Sequence, residues 1–353
     1  MNRRILSSKT ISEQYDLDHI DITTAKSLKD VQRFGLYKIH LFSTQFFGLL
    51  SLLRKKKIDI VYITLSTEGL ALYKDAFLWF IAALFVKKRV LHFHSKGIIT
   101  TNRHSRFKMD LIKLIFSRSF VIVLSEFLRK EIAEYAKDIF ILNYGIPNEV
   151  SPLGPDPFRP YPKTPTCSLK LLFLSNLSVE KGILQFLDVC DLLAQRNISF
   201  KATIAGKEWD MTVEMIRSEI QNRNLGTLVD VAGPVYGEDK INLLHQSDIL
   251  LFPTYYKREA FPLVILEAFQ FGIVPVCSDH AAIPEIIDQG VDGFCFPYDD
   301  VHSFAGCIEA LANDPSRLLL MKNRSRIKYE RRFTFEKYEE GIADILNKIY
   351  DRP

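Results

Sequence analysis

The sequence predicts an α/β protein of two Rossmann-like domains, each a parallel sheet wrapped by helices, facing each other across a cleft. Three observations carry this expectation. At 353 residues the chain is too long for one ordinary core and suits two domains of similar size. Short β-rich runs alternate with helix-length segments on both sides of the middle, which implies right-handed crossovers and parallel pairing. Between Pro152 and Pro165 lie six of the 15 prolines, a density that neither a central strand nor a helix tolerates. The expected organisation is therefore a front domain over 1–151, a linker over 152–166, a back domain over 167–332 and a terminal amphipathic helix over 333–353.

In the front half, residues 58–63, 89–94 and 120–124 read as strands. Residues 127–136 read as a helix with Ser125 at its N-cap, and 139–142 as a further strand. In the back half the predicted strands are 169–174, 199–205, 229–232, 249–252 and 274–277. Helices are expected at 182–195, 212–222, 240–245 and 262–271, and ligands in sheets of this kind bind beyond the carboxyl ends of the strands.

The bulk composition narrows the function classes. A hydrophobic fraction of 47% and a charged fraction of 25% are those of a soluble globular protein. The five cysteines are an odd number without a CxxC pair, and the first apolar run stops at Leu6 without the length of a signal-peptide core. Reduced thiols in a cytoplasmic protein, with no metal site, are the expectation. The longest apolar run, 76–86, has 11 residues, where spanning a bilayer takes about 20. That run and the Phe- and Leu-rich stretch 41–53 read either as core helices or as an apolar face lying on an anionic membrane, because Lys87-Lys88-Arg89 and Arg54-Lys55-Lys56-Lys57 flank them. Residues 1–165 carry 26 Lys and Arg against 15 Asp and Glu, a net +11, and the remainder is −7. Such a basic front half suits anionic lipid or a phosphate-bearing acceptor. It does not suit nucleic acid, since no basic stripe with interleaved aromatics occurs.

The most informative stretch is Arg258-Glu259-Ala260-Phe261-Pro262-Leu263-Val264-Ile265-Leu266-Glu267, which leaves a strand, crosses a loop carrying Glu259 and enters a helix at Pro262. The amides of Leu263 and Val264 point out of the helix N-terminus, an end that attracts anions such as a diphosphate. Glu267 lies further along an otherwise apolar helix, where a carboxylate needs a partner. Ribose hydroxyls meet that need, and so does a local backbone group or an ion pair.

Two glutamates with seven residues between them, followed by Ala268 and by Gly272-Ile273-Val274-Pro275-Val276, resemble the E-x7-E motif of retaining GT-B glycosyltransferases of family 4. Phe173-Leu174-Ser175-Asn176-Leu177 running into Glu180-Lys181-Gly182 is similar to that family's strand, loop and Lys-Gly helix start. Ile204-Ala205-Gly206, Val231-Ala232-Gly233, Ser247-Asp248 and Gly290-Val291-Asp292-Gly293 also match, so the likeness covers almost all of the back half. The resemblance implies a GT-B fold whose terminal helix packs back toward the front domain. It implies that Lys181 neutralises the donor diphosphate, that Glu267 holds the ribose and that Glu259 lies beside the donor sugar. The family often has Gly-Arg where this chain has Ser175-Asn176, and Asn176 can offer a neutral hydrogen bond instead. It often has Gly-Phe-Gly where this chain has Ala260-Phe261-Pro262.

In the front half, Leu91-His92-Phe93-His94 resembles the strand end that carries an active-site histidine, with His94 the better match. His92 and His94 share a strand face and also read as two metal ligands lacking a third, or as core histidines. The family's opening strand and Gly-rich loop have no counterpart here, since the residues after Met1 look like its first helix and 15–22 like its second strand.

The expected activity is transfer of a sugar from a UDP- or GDP-sugar to a glycan or lipid-linked acceptor, without a metal, in surface polysaccharide or lipopolysaccharide assembly at the cytoplasmic membrane face. A non-catalytic donor-binding subunit and a nucleotide-sugar 2-epimerase are the competing readings. No GxGxxG follows a strand, which argues against a dinucleotide dehydrogenase.

Overall fold

The computed structural model describes residues 5–6, 8–22, 36–150 and 168–352, so the proline-rich linker lies outside the described residues. The chain divides into two compact units, Met1–Leu142 with Glu339–Pro353, and Asn143–Tyr338.

The first unit begins with α1 (Lys9–Gln14), whose N-cap Ser8 accepts from the Ile11 N–H at 3.1 Å. It continues through α2 (Leu36–Lys55), β1 (Ile60–Thr64), α3 (Gly69–Phe85), β2 (Lys88–Phe93), α4 (Ile98–Asn102), α5 (Arg106–Ser117), β3 (Phe120–Val123), α6 (Glu126–Ile132) and β4 (Asp138–Ile141). The four strands are parallel and adjacent in chain order, β1-β2-β3-β4. Ser125 caps α6 by accepting from the Leu128 N–H at 3.2 Å. The apolar centre of β3, Val121 to Val123, is wholly buried, as a strand covered on both faces requires. Trp79 of α3 packs beneath the sheet with its indole N–H on Ser119 Oγ at 2.9 Å, which satisfies the one polar atom it buries.

Residues 15–22 are not the strand expected of them; they carry no regular structure. Their backbone acceptors go to long side chains instead of a neighbouring strand. Gln45 donates to Asp21 O at 3.0 Å and Lys74 to Ile22 O at 2.6 Å, while Tyr15 OH bonds Ala343 O and Asn347 Oδ1 at 3.0 and 2.7 Å. Three aspartates in this stretch also suit a solvated surface run better than a sheet.

The second unit comprises β5 (Leu169–Leu174), α7 (Ile183–Gln195), β6 (Phe200–Ala205), α8 (Val213–Asn222), β7 (Val229–Gly233), α9 (Gly237–His245), β8 (Ile249–Phe252), α10 (Leu263–Gln270), β9 (Val274–Ser278), α11 (Ile283–Ile286), β10 (Phe294–Phe296), α12 (Val301–Asn313) and α13 (Pro315–Lys328). A π-helical turn, Tyr329–Phe333, leads into α14 (Phe335–Tyr350). All six strands are parallel in the order β10-β9-β8-β5-β6-β7. Two successive crossovers from β5 build one wing and the return to β8 starts the other. The sheet therefore reverses direction between β5 and β8, and in sheets of this kind ligands bind in the crevice outside the carboxyl ends of the strands at such a switch point. Phe173, Phe186, Ile204, Ile249 and Phe304 fill the core beneath it, each worth about 2 kcal/mol or more in transfer from water.

The boundary between units falls earlier than the expected 151/152. Residues 143–150 pack with the second unit because Ile146 N–H donates to Phe333 O at 2.9 Å, Tyr329 OH to Ile146 O at 2.9 Å and Gln270 to Pro147 O at 2.6 Å. The terminal helix belongs to the second unit up to Tyr338 and to the first from Glu339 onward. There Lys88 donates to Tyr350 O, and Arg352 pairs with Asp138 and lies over the Phe120 ring at 5.3 Å.

Candidate active site

The switch point of the second sheet gathers most of the residues singled out from the sequence. The loop leaving β5 ends in a single 3-10 turn, Val179–Lys181, closed by Gly182 in the left-handed region at φ +87°. A glycine is required there on two counts. An L-residue disfavours that φ, and a Cβ on Gly182 would lie 2.1 Å from the Pro253 carbonyl oxygen. The loop leaving β8 is stitched to the same turn, since Glu180 O accepts from Tyr255 N–H at 2.9 Å and Thr254 Oγ1 at 3.3 Å.

This close approach brings together two residues 78 positions apart, with Lys181 Nζ 2.6 Å from Glu259 Oε2. Both side chains are largely buried, 13% and 10% exposed, so the ion pair works in a medium much less screening than water. The ammonium also lies 4.4 Å from the Tyr256 ring centroid and 5.8 Å from that of Phe252, both aromatic faces attracting the charge. Asn176 stands exposed on the same β5 loop, and Lys257 is 86% exposed beside Glu180 at 3.9 Å.

Pro262 is the N-cap of α10 and not its first helical residue, one position from the expected start. Leu263 and Val264 therefore occupy the first two helical positions, where N–H groups have no acceptor within the helix. Leu263 is exposed and Val264 half-buried. Glu267 meets a partner that spacing in the sequence could not point to: Lys240 of α9, at 2.7 Å, with both side chains about one quarter exposed. An ion pair is among the partners that the sequence leaves open for Glu267.

His94 belongs to the first unit, directly after β2. Its ring lies 3.9 Å from that of His92, centroid to centroid, and His92 Nδ1 shares a hydrogen bond with Tyr62 OH. His92 is wholly buried, and burial together with His94 holds it well below the ordinary imidazole range. Burial pushes His94 down to about 4, so a neutral imidazole is its form at pH 7. Among the described residues no group of three or more His, Cys, Asp or Glu is arranged to hold a metal ion. Nor is any described helix long and apolar enough to cross a membrane.

Two units of parallel α/β structure, one of them doubly wound with charged loops at its switch point, define the GT-B type of glycosyltransferase fold. Anabaena HepE in complex with UDP has this fold and superposes with a TM-score of 0.69, covering 88% of this chain and 82% of that chain at 17% identity. Residues 158–332, just under half of the chain, match the family described as glycosyl transferases group 1. The putative colanic acid biosynthesis glycosyltransferase WcaL of Escherichia coli (strain K12) is 26% identical over 217 residues, covering 58% of this chain and 53% of that protein. The GDP-mannose:cellobiosyl-diphosphopolyprenol alpha-mannosyltransferase of Xanthomonas oryzae pv. oryzae is 25% identical over 142 residues, 40% of this chain and 37% of that protein. The chain spans about half the length of the curated relatives first matched.

Proposed function

We propose that this chain is a retaining glycosyltransferase that moves a sugar from a nucleoside-diphosphate sugar to a glycan or lipid-linked acceptor in surface polysaccharide assembly. The observation that carries the proposal is the Lys181–Glu259 pair, held at the switch point of a doubly wound sheet beside a helix whose first amides are free of helical acceptors. Lys181 and the amides of Leu263 and Val264 receive the diphosphate and stabilise charge as it develops on the leaving group. Asn176 adds a neutral donor. Glu267 accepts from the ribose hydroxyls after parting from Lys240, and Glu259 faces the donor sugar. His94, kept neutral by burial, orients hydroxyls without bringing a charge. Attack from the face that the leaving group occupied, through an oxocarbenium-like state, retains configuration. The positive field of Lys181 and the α10 terminus takes the role that a bound cation would otherwise fill.

The test is product analysis with UDP-glucose or GDP-mannose, a lipid-linked acceptor fraction and EDTA in the buffer. The expected products are free nucleoside diphosphate and an α-glycoside. An inverted linkage would remove the retaining mechanism, an isomerised donor would favour the 2-epimerase, and absence of turnover with intact donor binding would favour a non-catalytic subunit.

The same proposal places the first unit at the cytoplasmic face of an anionic membrane. Phe47 and Leu84 are 64% and 77% exposed on α2 and α3, whose aromatic rings meet where Phe42 and Phe46 lie 5.6 and 5.7 Å from Phe77. At the carboxyl ends of both helices Lys56, Lys57, Lys87 and Lys88 line a groove of about 360 Å³, which gives the apolar face a basic rim. Each such lysine contributes about 1 kcal/mol toward an anionic surface, so replacing the exposed Lys55, Lys57 and Lys87 by glutamate is expected to weaken vesicle binding by at least about 100-fold. Flotation with vesicles rich in phosphatidylglycerol checks this; equal flotation of parent and variant would remove the membrane assignment.

A further inference from the structure

Beside the Lys181–Glu259 pair stands an exposed aromatic group. Trp209, in the loop after β6, is 60% exposed, although an indole is among the most costly side chains to leave in water. Its ring meets Tyr256 edge to face at 6.0 Å, and Tyr256 in turn lies 4.4 Å from Lys181 Nζ. Tyr256 thus separates Trp209 from the ammonium by one ring.

The exposure does not come from a loose loop. Trp209 N–H and Met211 N–H both donate to Leu177 O at 3.2 Å, and Leu177 N–H donates to Lys207 O at 2.8 Å. Asp210 accepts from Ser178 Oγ at 3.1 Å and from Val179 N–H at 3.2 Å, while Glu208 accepts from Val213 N–H at 2.8 Å. The β6 loop is therefore bound along its length to the β5 loop that delivers Lys181. The exposed indole thus stands on an ordered backbone, which lowers the entropic cost of stacking there.

We infer that Trp209 and Tyr256 form a stacking platform for a hexose ring at the rim of the donor site. A pyranose has an apolar face of C–H groups and a perimeter of hydroxyls, and the platform answers both. The indole covers the face, and the exposed carboxylates of Glu208 and Asp210 flank it as acceptors for hydroxyls. Those same carboxylates repel a phosphate, so the platform complements the sugar and Lys181 the diphosphate. The inference rests on the glycosyltransferase reading, and the hexose is either the donor's or the terminal residue of the acceptor.

Fluorescence separates these possibilities, because the chain has two tryptophans and the other, Trp79, is buried and bonded to Ser119. In a Trp79→Phe protein the emission reports Trp209 alone. UDP-glucose or GDP-mannose moving that emission assigns the platform to the donor sugar, and cellobiose moving it assigns the platform to the acceptor. UDP and GDP alone are expected to leave it unchanged. Trp209→Ala is expected to raise KM for the sugar that stacks by about 10-fold and Trp209→Phe by less than about 3-fold, with affinity for UDP or GDP unaltered. The inference is overturned if UDP or GDP moves the emission as far as the sugar nucleotides do. It is equally overturned if neither sugar probe moves it while calorimetry records UDP-glucose or GDP-mannose binding. Absence of any nucleotide binding by calorimetry would sink the donor-site reading itself, and the platform with it.

Discussion

Lys181→Ala is expected to lower kcat/KM for the nucleotide sugar by about 10² to 10³, the usual consequence of removing one preorganised charge from a developing anion. Lys257, in the loop that carries Glu259, is 86% exposed and directed to Glu180. Stability should suffer too, because Glu259 is 8% exposed and would lose the cation 2.6 Å away. Breaking a buried pair from one side costs about 3 kcal/mol or more, and the residual exposure of this one lowers the expectation to about 2 kcal/mol. The two effects separate in a double variant. Lys181→Ala with Glu259→Gln removes the stranded charge, so it should recover most of the stability and none of the turnover. Unchanged turnover and donor affinity in Lys181→Ala would count against the assignment.

Gly182→Ala should have a large structural effect for a single added methyl group. The added Cβ would sit 2.1 Å from Pro253 O and 2.6 Å from its carbonyl carbon, both backbone atoms that cannot rotate aside. The left-handed φ of +87° adds a penalty of about 1 kcal/mol. The loops after β5 and β8 must part to relieve the contact, which moves Lys181 off Glu259. The expectation is a loss of at least about 3 kcal/mol, or roughly 6–12 °C in Tm, with donor binding abolished. Gly306→Ala supplies the contrast within the same unit. That glycine lies inside α12 with its nearest neighbour, Arg196 Nη1, 3.9 Å from the added Cβ, so alanine there should stabilise by up to about 1 kcal/mol. Differential scanning of the two variants reads both signs; a Gly182→Ala protein as stable as its parent would mean that the two loops are not locked together.

The second sheet is legible in the sequence because its central strands are largely buried and read as nearly continuous apolar runs. Ile249–Phe252 can be read to the residue, and Leu169–Leu174 likewise. The third strand of one wing, Phe294–Phe296, is only three residues long and half-buried, too short for any periodicity, and it escapes a reading by pattern. Residues 15–22 mislead in the opposite direction, since their likeness to the family's second strand suggests pairing while side chains from α2 and α3 take the carbonyls of Asp21 and Ile22. At the site, the motif containing Glu259 and Glu267 marks both carboxylates. What occupies them is a matter of tertiary approach: Lys240 reaches Glu267 from a helix that carries no motif, and Tyr256 lies within the loop without a distinguishing spacing. Trp209 leaves no sequence signal at all, because a single tryptophan is read as core until its exposure is seen.

The central claim is that the crevice between β5 and β8 is a nucleotide-sugar donor site. Calorimetric titration of the purified chain with UDP and GDP, beside its Glu267→Ala variant, tests it most directly. The account predicts that one of the two nucleotides binds at a single site, and that the variant, lacking the carboxylate assigned to the ribose, loses about 10-fold or more of that affinity. Binding that is unchanged in Glu267→Ala, or no binding of either nucleotide to the parent chain, would contradict it.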